Sequence, residues 1–256
     1  MSQSPAEPHI QVRDLSLAFD RELILTDLNF EIKQGDIFII MGGSGSGKST
    51  LMKALIGLKE PRTGVIRYQG LDFWQSEPWK RERLLRRVGV LYQGGALWSS
   101  MTLAENVALP LEQFYSLSRN RVRELVSLKL SLVGLAGFEE YYPAEISGGM
   151  RKRAGLARAI ALDPDILFFD EPSAGLDPIS AKHLDDLILE IKKGLGTTIV
   201  VVSHELASIF AIGTNSVFLD AESKTVLASG NPEEMLHTNK DPKIQAFLTR
   251  GGTIED

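Results

Sequence analysis

Gly42-Gly43-Ser44-Gly45-Ser46-Gly47-Lys48-Ser49-Thr50 matches the phosphate-binding pattern G-x-x-x-x-G-K-[ST] at every position. A triphosphate needs many hydrogen-bond donors converging on a small volume, and side chains would crowd it. Glycines at 42, 43, 45 and 47 let the backbone take positive φ and turn its N–H groups inward as an anion-binding nest. The loop then feeds a helix whose N-terminal amides and dipole also favour phosphate. Lys48 supplies a mobile positive charge for the β and γ phosphates, and the Ser49 hydroxyl is placed to coordinate Mg²⁺. On one side Asp36 to Met41 reads as a buried strand running into the loop. On the other, Leu51 to Ile56 reads as a helix ending in a cap at Gly57. A Gly/Ser-rich flexible linker is the bland alternative.

The composition suits such a site. Hydrophobic residues make up 43% and charged residues 24% of 256, the balance of a soluble globule long enough to bury a core as one α/β domain or one domain with an inserted lobe. A net charge of −5 argues against a nucleic-acid or anionic-lipid surface as the main partner. With no cysteine there is no disulfide, thiolate zinc site or Cys nucleophile, and nothing opposes a reducing cytosol. Met1 to Pro8 lacks the basic and apolar regions of a secretory signal, and no apolar run approaches the ~18 residues needed to cross a bilayer. If the protein works at a membrane, a partner holds it there.

Outward from the loop, residues 10 to 33 alternate apolar and polar positions and predict antiparallel strands, with a turn at Asp20-Arg21-Glu22. Val65 to Tyr68 predicts another strand before a turn at Gly70. Residues 78 to 87 predict a basic helix, read as a solvated face or as a phosphate or lipid-headgroup contact. Val88 to Gln93 is an apolar strand ending in a lone glutamine. The period from Leu103 to Leu135 is helical, with Ser118 as an N-cap, and a further helix is predicted from Arg151 to Leu162. Asp165 to Glu171 and Thr198 to Val202 are apolar strands ending in Asp170-Glu171 and Ser203-His204. Strands alternating with helices imply a mainly parallel sheet with ligand chemistry at the carboxyl ends, where Gln93, Asp170, Glu171 and His204 all fall.

An apolar strand ending in Asp170 suits the second half of a phosphate-loop NTPase, its carboxylate holding Mg²⁺ directly or through water opposite Ser49. Glu171 beside it can act as general base on the attacking water, a role worth typically ~10²–10⁴-fold in rate. In isolation, an Asp-Glu pair would more often be a helix N-cap.

At these residues the sequence resembles the ATP-binding-cassette ATPases, across nearly its whole length. The phosphate loop is similar to Walker A, Leu167 to Glu171 to Walker B, Gln93 to the Q-loop glutamine, and Ala174-Gly175-Leu176-Asp177 to the D-loop. Ile146-Ser147-Gly148-Gly149-Met150 resembles the family signature, departing from the usual pattern at Ile146 and Met150. His204 resembles the switch histidine, whose bland reading is a structural His bonded to backbone. Phe19 holds the place of the aromatic that stacks on adenine, for which a ring needs no hydroxyl.

The resemblance implies a RecA-like phosphate-loop NTPase core with an N-terminal antiparallel β subdomain and an inserted α-helical lobe. One ATPase domain is expected over 9–250, with the core at 9–93 and 163–250, the lobe at about 94–162, and flexible tails at 1–8 and 251–256. It also implies two copies closing head to tail around two ATP molecules, each Ser147-Gly148-Gly149 meeting the other copy's γ-phosphate. Glu171, His204, Lys48 and Gln93 are then the catalytic set. Phe19, Gly42 to Thr50, Gln93, Ser147 to Gly149 and Asp177 contact nucleotide, and Ser49, Gln93 and Asp170 hold Mg²⁺.

Within the family, Tyr92 to Leu111, Lys129-Leu130 with Val133-Gly134-Leu135, and Asp241 to Leu248 look like the ATPases of Mla-type transporters, which work with MCE-domain proteins on phospholipids. That implies permease subunits, an MCE partner, possible accessory chains, no nucleic acid, and a place on the cytoplasmic face of the inner membrane. The permease contact is expected along Gly94 to Met101, with Gly94-Gly95 as a flexible joint. Leu97 and Trp98 are either its anchors or part of the lobe's own packing. Amino-acid or metal importers and solvent or toxin exporters are the rival transporters; some importers append a regulatory domain, for which no room is expected beyond His204. A phosphate-loop kinase or GTPase would not need a Ser-Gly-Gly helix start, a D-loop and a switch His together. A chromosome- or repair-type cassette would show heptads between Gln93 and Ser147, where none are sustained. A translation-factor type would hold two cassettes.

Overall fold

The computed structural model describes residues 8–250; the tails expected at 1–8 and 251–256 lie outside them, save for residue 8. In chain order the elements are strands β1 (Ile10–Phe19), β2 (Glu22–Ile32) and β3 (Ile37–Gly42), helix α1 (Lys48–Leu55), and strands β4 (Thr63–Tyr68) and β5 (Leu71–Asp72). Helix α2 (Pro78–Leu85), strand β6 (Val88–Leu91), and helices α3 (Leu103–Phe114), α4 (Arg119–Leu132) and α5 (Gly148–Ala159) come next. They lead to strand β7 (Ile166–Asp170), helix α6 (Pro178–Leu195) and strand β8 (Thr198–Val202). Helix α7 (Leu206–Ile212), strands β9 (Asn215–Leu219) and β10 (Val226–Gly230), and helices α8 (Pro232–Thr238) and α9 (Pro242–Leu248) follow. The described residues form two compact units, 8–81 with 200–250, and 82–199.

In the first unit an antiparallel sheet runs in the order β2-β1-β4-β5. Its inward residues do not keep a strict period of two: Ile10 and Val12 are followed by Leu15 and Leu17, and Leu25 by Leu28, Phe30 and Ile32, all buried. The phase slip is absorbed at Asp14 and Asp27, which take φ of 48° and 51° beside shifts in register. Asp14 N–H donates to Asn29 Oδ1 at 3.0 Å and Asp27 N–H to Ser16 Oγ at 3.2 Å, so the amides that leave the ladder still find acceptors. Strand β3, buried at every residue, pairs in parallel with β9, and β10 pairs antiparallel with β9. An all-apolar strand with neighbours on a parallel ladder is what the run Ile37 to Met41 dictates.

In the second unit β6 and β7 pair in parallel, with Leu91 opposite Phe169. The helical period from Leu103 to Leu135 resolves into α3, opened by a capping box of Thr102 with Glu105, and α4, capped by Ser118. Helix α5 starts at Gly148 rather than at Arg151 and ends at Ala159. Helix α6 is capped at its start by Asp177 with Pro178 following, and ends at Gly196 in the left-handed conformation. Strand β8, buried throughout, carries the chain across the boundary of the two units.

Candidate nucleotide site

The first unit holds the phosphate loop. Gly42 has φ of 147°, Gly45 of 76° and Gly47 of 90°, values open to glycine and strained for other residues. Packing restricts two of them further: a Cβ on Gly42 would lie 2.3 Å from the Leu219 carbonyl oxygen, and one on Gly47 would lie 2.9 Å from Leu25 Cγ. At Gly43 and Gly45 an added Cβ meets nothing within 4 Å; Gly45 is required by its φ alone, whereas Gly43 does not take the positive φ expected of it, because the turn is carried by Gly42, Gly45 and Gly47. Ser46 is 2% exposed and its Oγ has no hydrogen-bond partner among the described residues. Helix α1 begins at Lys48 itself, whose Nζ donates to the carbonyls of Gly42 at 2.9 Å and Gly43 at 2.8 Å. The ammonium is thus folded over the mouth of the loop. Ser49 is exposed and Thr50 half-buried on the same first turn.

Two further residues of this unit are the expected nucleotide contacts Phe19 and His204. The Phe19 ring is 49% exposed at the end of β1, with Lys59 Nζ 3.8 Å from its centroid, so one face carries a cation and the ring stands in solvent. Ser203 N–H donates to the carbonyl of Ile40, which anchors the residue before His204 beside the strand that leads into the loop. His204 Nε2 lies 3.6 Å from Glu205 Oε1, whose other oxygen is 3.7 Å from Arg250.

In the second unit the β6–β7 register puts Gln93, two residues past Leu91, at the same edge as Asp170 and Glu171. Glu171 has φ of 49°. A non-glycine residue held there costs about 1–3 kcal/mol, and such strain persists where the surroundings fix it. Tyr92 is held above the usual phenol range, first by burial and then by the Asp170 charge, while Arg158 works in the opposite direction. These groups share one charged edge. Asp177 is occupied as the α6 cap, accepting from Ile179 and Ser180 N–H at 3.1 and 3.0 Å. Its pKa is lowered chiefly by Ser180.

Helix α5 makes three sets of contacts; Ser147 at its start was expected from the sequence, and the other two were not. Ser147 is its N-cap and accepts from Met150 N–H at 3.2 Å, so its hydroxyl and the first free amides of the helix stand together at an exposed end. Gly155 lies against Gly95, where an added Cβ would be 2.9 Å from Gly95 Cα, and Arg158 donates to the carbonyls of Ala96 at 2.8 Å and Gly95 at 3.0 Å. The expected flexible joint is therefore pinned at Gly95: that glycine permits close packing, and only Gly94 stands in open space. Trp98 is 61% exposed, while its backbone is gripped by buried Asn106. Lys152, 6% exposed, reaches the carbonyls of Pro172 and Ala174. Burial lowers its pKa, against the raising influence of Glu171. The signal for Asn106 and Lys152 was there only as polar residues on apolar helix faces.

The chain thus carries a glycine-rich phosphate loop in one unit and a serine-capped Gly148-Gly149 helix start in the other. Residues 25–174 match the ABC transporter family, and the chain belongs to it as an ATP-binding, ATP-hydrolysing cassette. It is 39% identical over 239 residues to the "Probable ribonucleotide transport ATP-binding protein mkl" of Mycobacterium leprae, a match covering 93% of this chain and 68% of that protein. It is 38% identical over 239 residues to the "Intermembrane phospholipid transport system ATP-binding protein MlaF" of Haemophilus influenzae, covering 93% of this chain and 89% of that protein. The dimeric ATP-binding cassette MJ0796, bound to ADP and Pi after hydrolysis, superposes with a TM-score of 0.78 at 26% identity over 87% of this chain and 98% of its own.

Proposed function

We propose that the chain hydrolyses MgATP in a head-to-tail dimer to drive phospholipid transport through membrane permease subunits, with an MCE-domain protein as the lipid-handling partner. The observation that carries the reading is Ser147, an exposed N-cap whose hydroxyl and neighbouring amides of Gly148 and Gly149 suit an anion. The neighbour in the ADP–Pi state is a dimer, and the relative matched over 89% of its length is named for phospholipid transport.

Each role follows from chemistry. Phe19 stacks on the base, Gly42 to Gly47 wrap the phosphates, and Lys48 leaves its carbonyls for the β and γ oxygens. Ser49, with Thr50 behind it, Gln93 and Asp170 supply the hydroxyl, amide and carboxylate oxygens that suit a hard cation. Mg²⁺, when bound, neutralises charge developing on the phosphates. Glu171 takes the proton of the attacking water, His204 senses the γ-phosphate, and Asp177 carries the partner's approach into α6. Among the described residues no helix is long and apolar enough to cross a membrane, which fits attachment to the inner membrane's cytoplasmic face through Trp98 and its loop.

A second reading, ribonucleotide transport, is favoured by the name of the mycobacterial relative. Purification of the complex from membranes, with identification of its chains and bound small molecules, decides between them. Phospholipid together with permease and MCE-domain chains is expected; ribonucleotide with no lipid would overturn the lipid assignment.

A further inference from the structure

Lys152 is a lysine of helix α5 with only 6% of its surface exposed, an unusual place for an ammonium. It donates to the carbonyls of Pro172 and Ala174, the former at 2.6 Å. Those carbonyls belong to the turn that begins at Glu171: Ala174 N–H closes it onto the Glu171 carbonyl at 3.2 Å, and Leu176 N–H onto Ser173 at 3.1 Å. Glu171 enters the turn at a φ of 49°, which its own side chain does not favour. Something outside the turn must hold it, and the lysine grips it at two points immediately after the strained residue. A neutral side chain at 152 would leave both carbonyls and lose the attraction between this ammonium and the Glu171 carboxylate.

We propose that Lys152 is a positioning residue for Glu171, tying the turn that orients this carboxylate to the helix that begins at Ser147. The proposal rests on the reading of Glu171 as general base and of Ser147 as a phosphate ligand. Five residues of helix, roughly 7.5 Å, separate Ser147 from Lys152, and a helix moves over that length as a rigid rod. Engagement of the helix start by a phosphate is thereby passed to the residue that activates water, so that hydrolysis waits on the neighbouring copy. Arg158, on the same helix, ties Gly95 and Ala96 to it in the same way, so the segment after Gln93 shares that support.

The test is a cycle of Lys152→Met and Glu171→Gln in the full chain, with Lys152→Arg as the conservative variant. Lys152→Met is expected to bind ATP within about 2-fold of wild type and to keep its KM. Its kcat should fall by ~10–100-fold, the scale of a misplacement of about 1 Å. Lys152→Arg, which retains charge and donors, should recover most of that loss. In the Glu171→Gln background Lys152→Met should add less than about 2-fold, because the group it positions is already gone. Should the methionine variant fail to fold, Lys152→Gln replaces it in the same cycle. Unchanged kcat in a folded variant, a rise in KM alone, no rescue by arginine, or a full multiplicative loss on top of Glu171→Gln would each overturn the positioning role. If Glu171→Gln alone hydrolyses at the wild-type rate, the general-base reading fails instead.

Discussion

Replacing Asn106 with alanine should loosen the loop that carries Trp98 without touching the nucleotide site. Asn106 is fully buried, and its Oδ1 accepts from Trp98 N–H at 2.7 Å. Its Nδ2 donates to the carbonyls of Trp98, Met101 and Thr102 at 3.1, 3.2 and 2.9 Å. Each bond contributes about 0.5–1.5 kcal/mol net, and water can reach part of the loop, so the expected loss is about 2–3 kcal/mol. For a protein of this size that lowers Tm by roughly 5–10 °C. Calorimetry of the isolated chain reads the stability, and ATP affinity by titration should stay within about 2-fold. Copurification with the membrane partner should fall together with partner-stimulated hydrolysis, because Trp98 is no longer presented in one position. A variant that melts with wild type and assembles normally would show that the amide does not organise this loop.

Gly42→Ala places a Cβ 2.3 Å from the Leu219 carbonyl at a φ of 147°, and should abolish ATP binding in titration while far-ultraviolet dichroism is retained. His204→Ala should cut turnover far more than ATP affinity; an equal loss in both would favour a structural histidine. Asp220 is pulled from the usual 3.8 down to about 2, first by the N–H and hydroxyl of Ser223 and then by Lys243. A depressed carboxylate stabilises above its unfolded value and loses that contribution as pH falls through its folded value. Asp220→Asn should therefore be less stable than wild type at pH 7, with the gap in urea denaturation closing between about pH 4 and pH 2.

The phosphate loop was legible because its chemistry is local: glycine spacing, Lys48 and a helix start are all set within nine consecutive residues. The strands of the first sheet were legible from alternation, but the bulges at Asp14 and Asp27 show in the sequence only as a slip of phase between apolar positions. The start of α5 was read late, because Gly148 and Gly149 are poor helix formers and only the Ser147 cap marks the first turn. Helix α6 had its signals, Asp177-Pro178 before it and Gly196 after it, and was not read from them. What depends on distant packing stayed hidden. Gly95 looks like a hinge until Gly155 is seen against it, and Lys152 looks like a solvated lysine until its carbonyl partners are known.

ATP-dependent dimerisation of Glu171→Gln, followed by sedimentation alongside phosphate release, is the decisive measurement for a head-to-tail ATPase. With MgATP the variant should pass from monomer to stable dimer, with two nucleotides per dimer and hydrolysis at least ~10²-fold below wild type. Adding Ser147→Arg to the same chain should abolish the dimer while a single chain still binds ATP. A Glu171→Gln protein that releases phosphate at the wild-type rate would remove Glu171 as general base, and one that binds MgATP and remains a monomer would rule out the head-to-tail dimer.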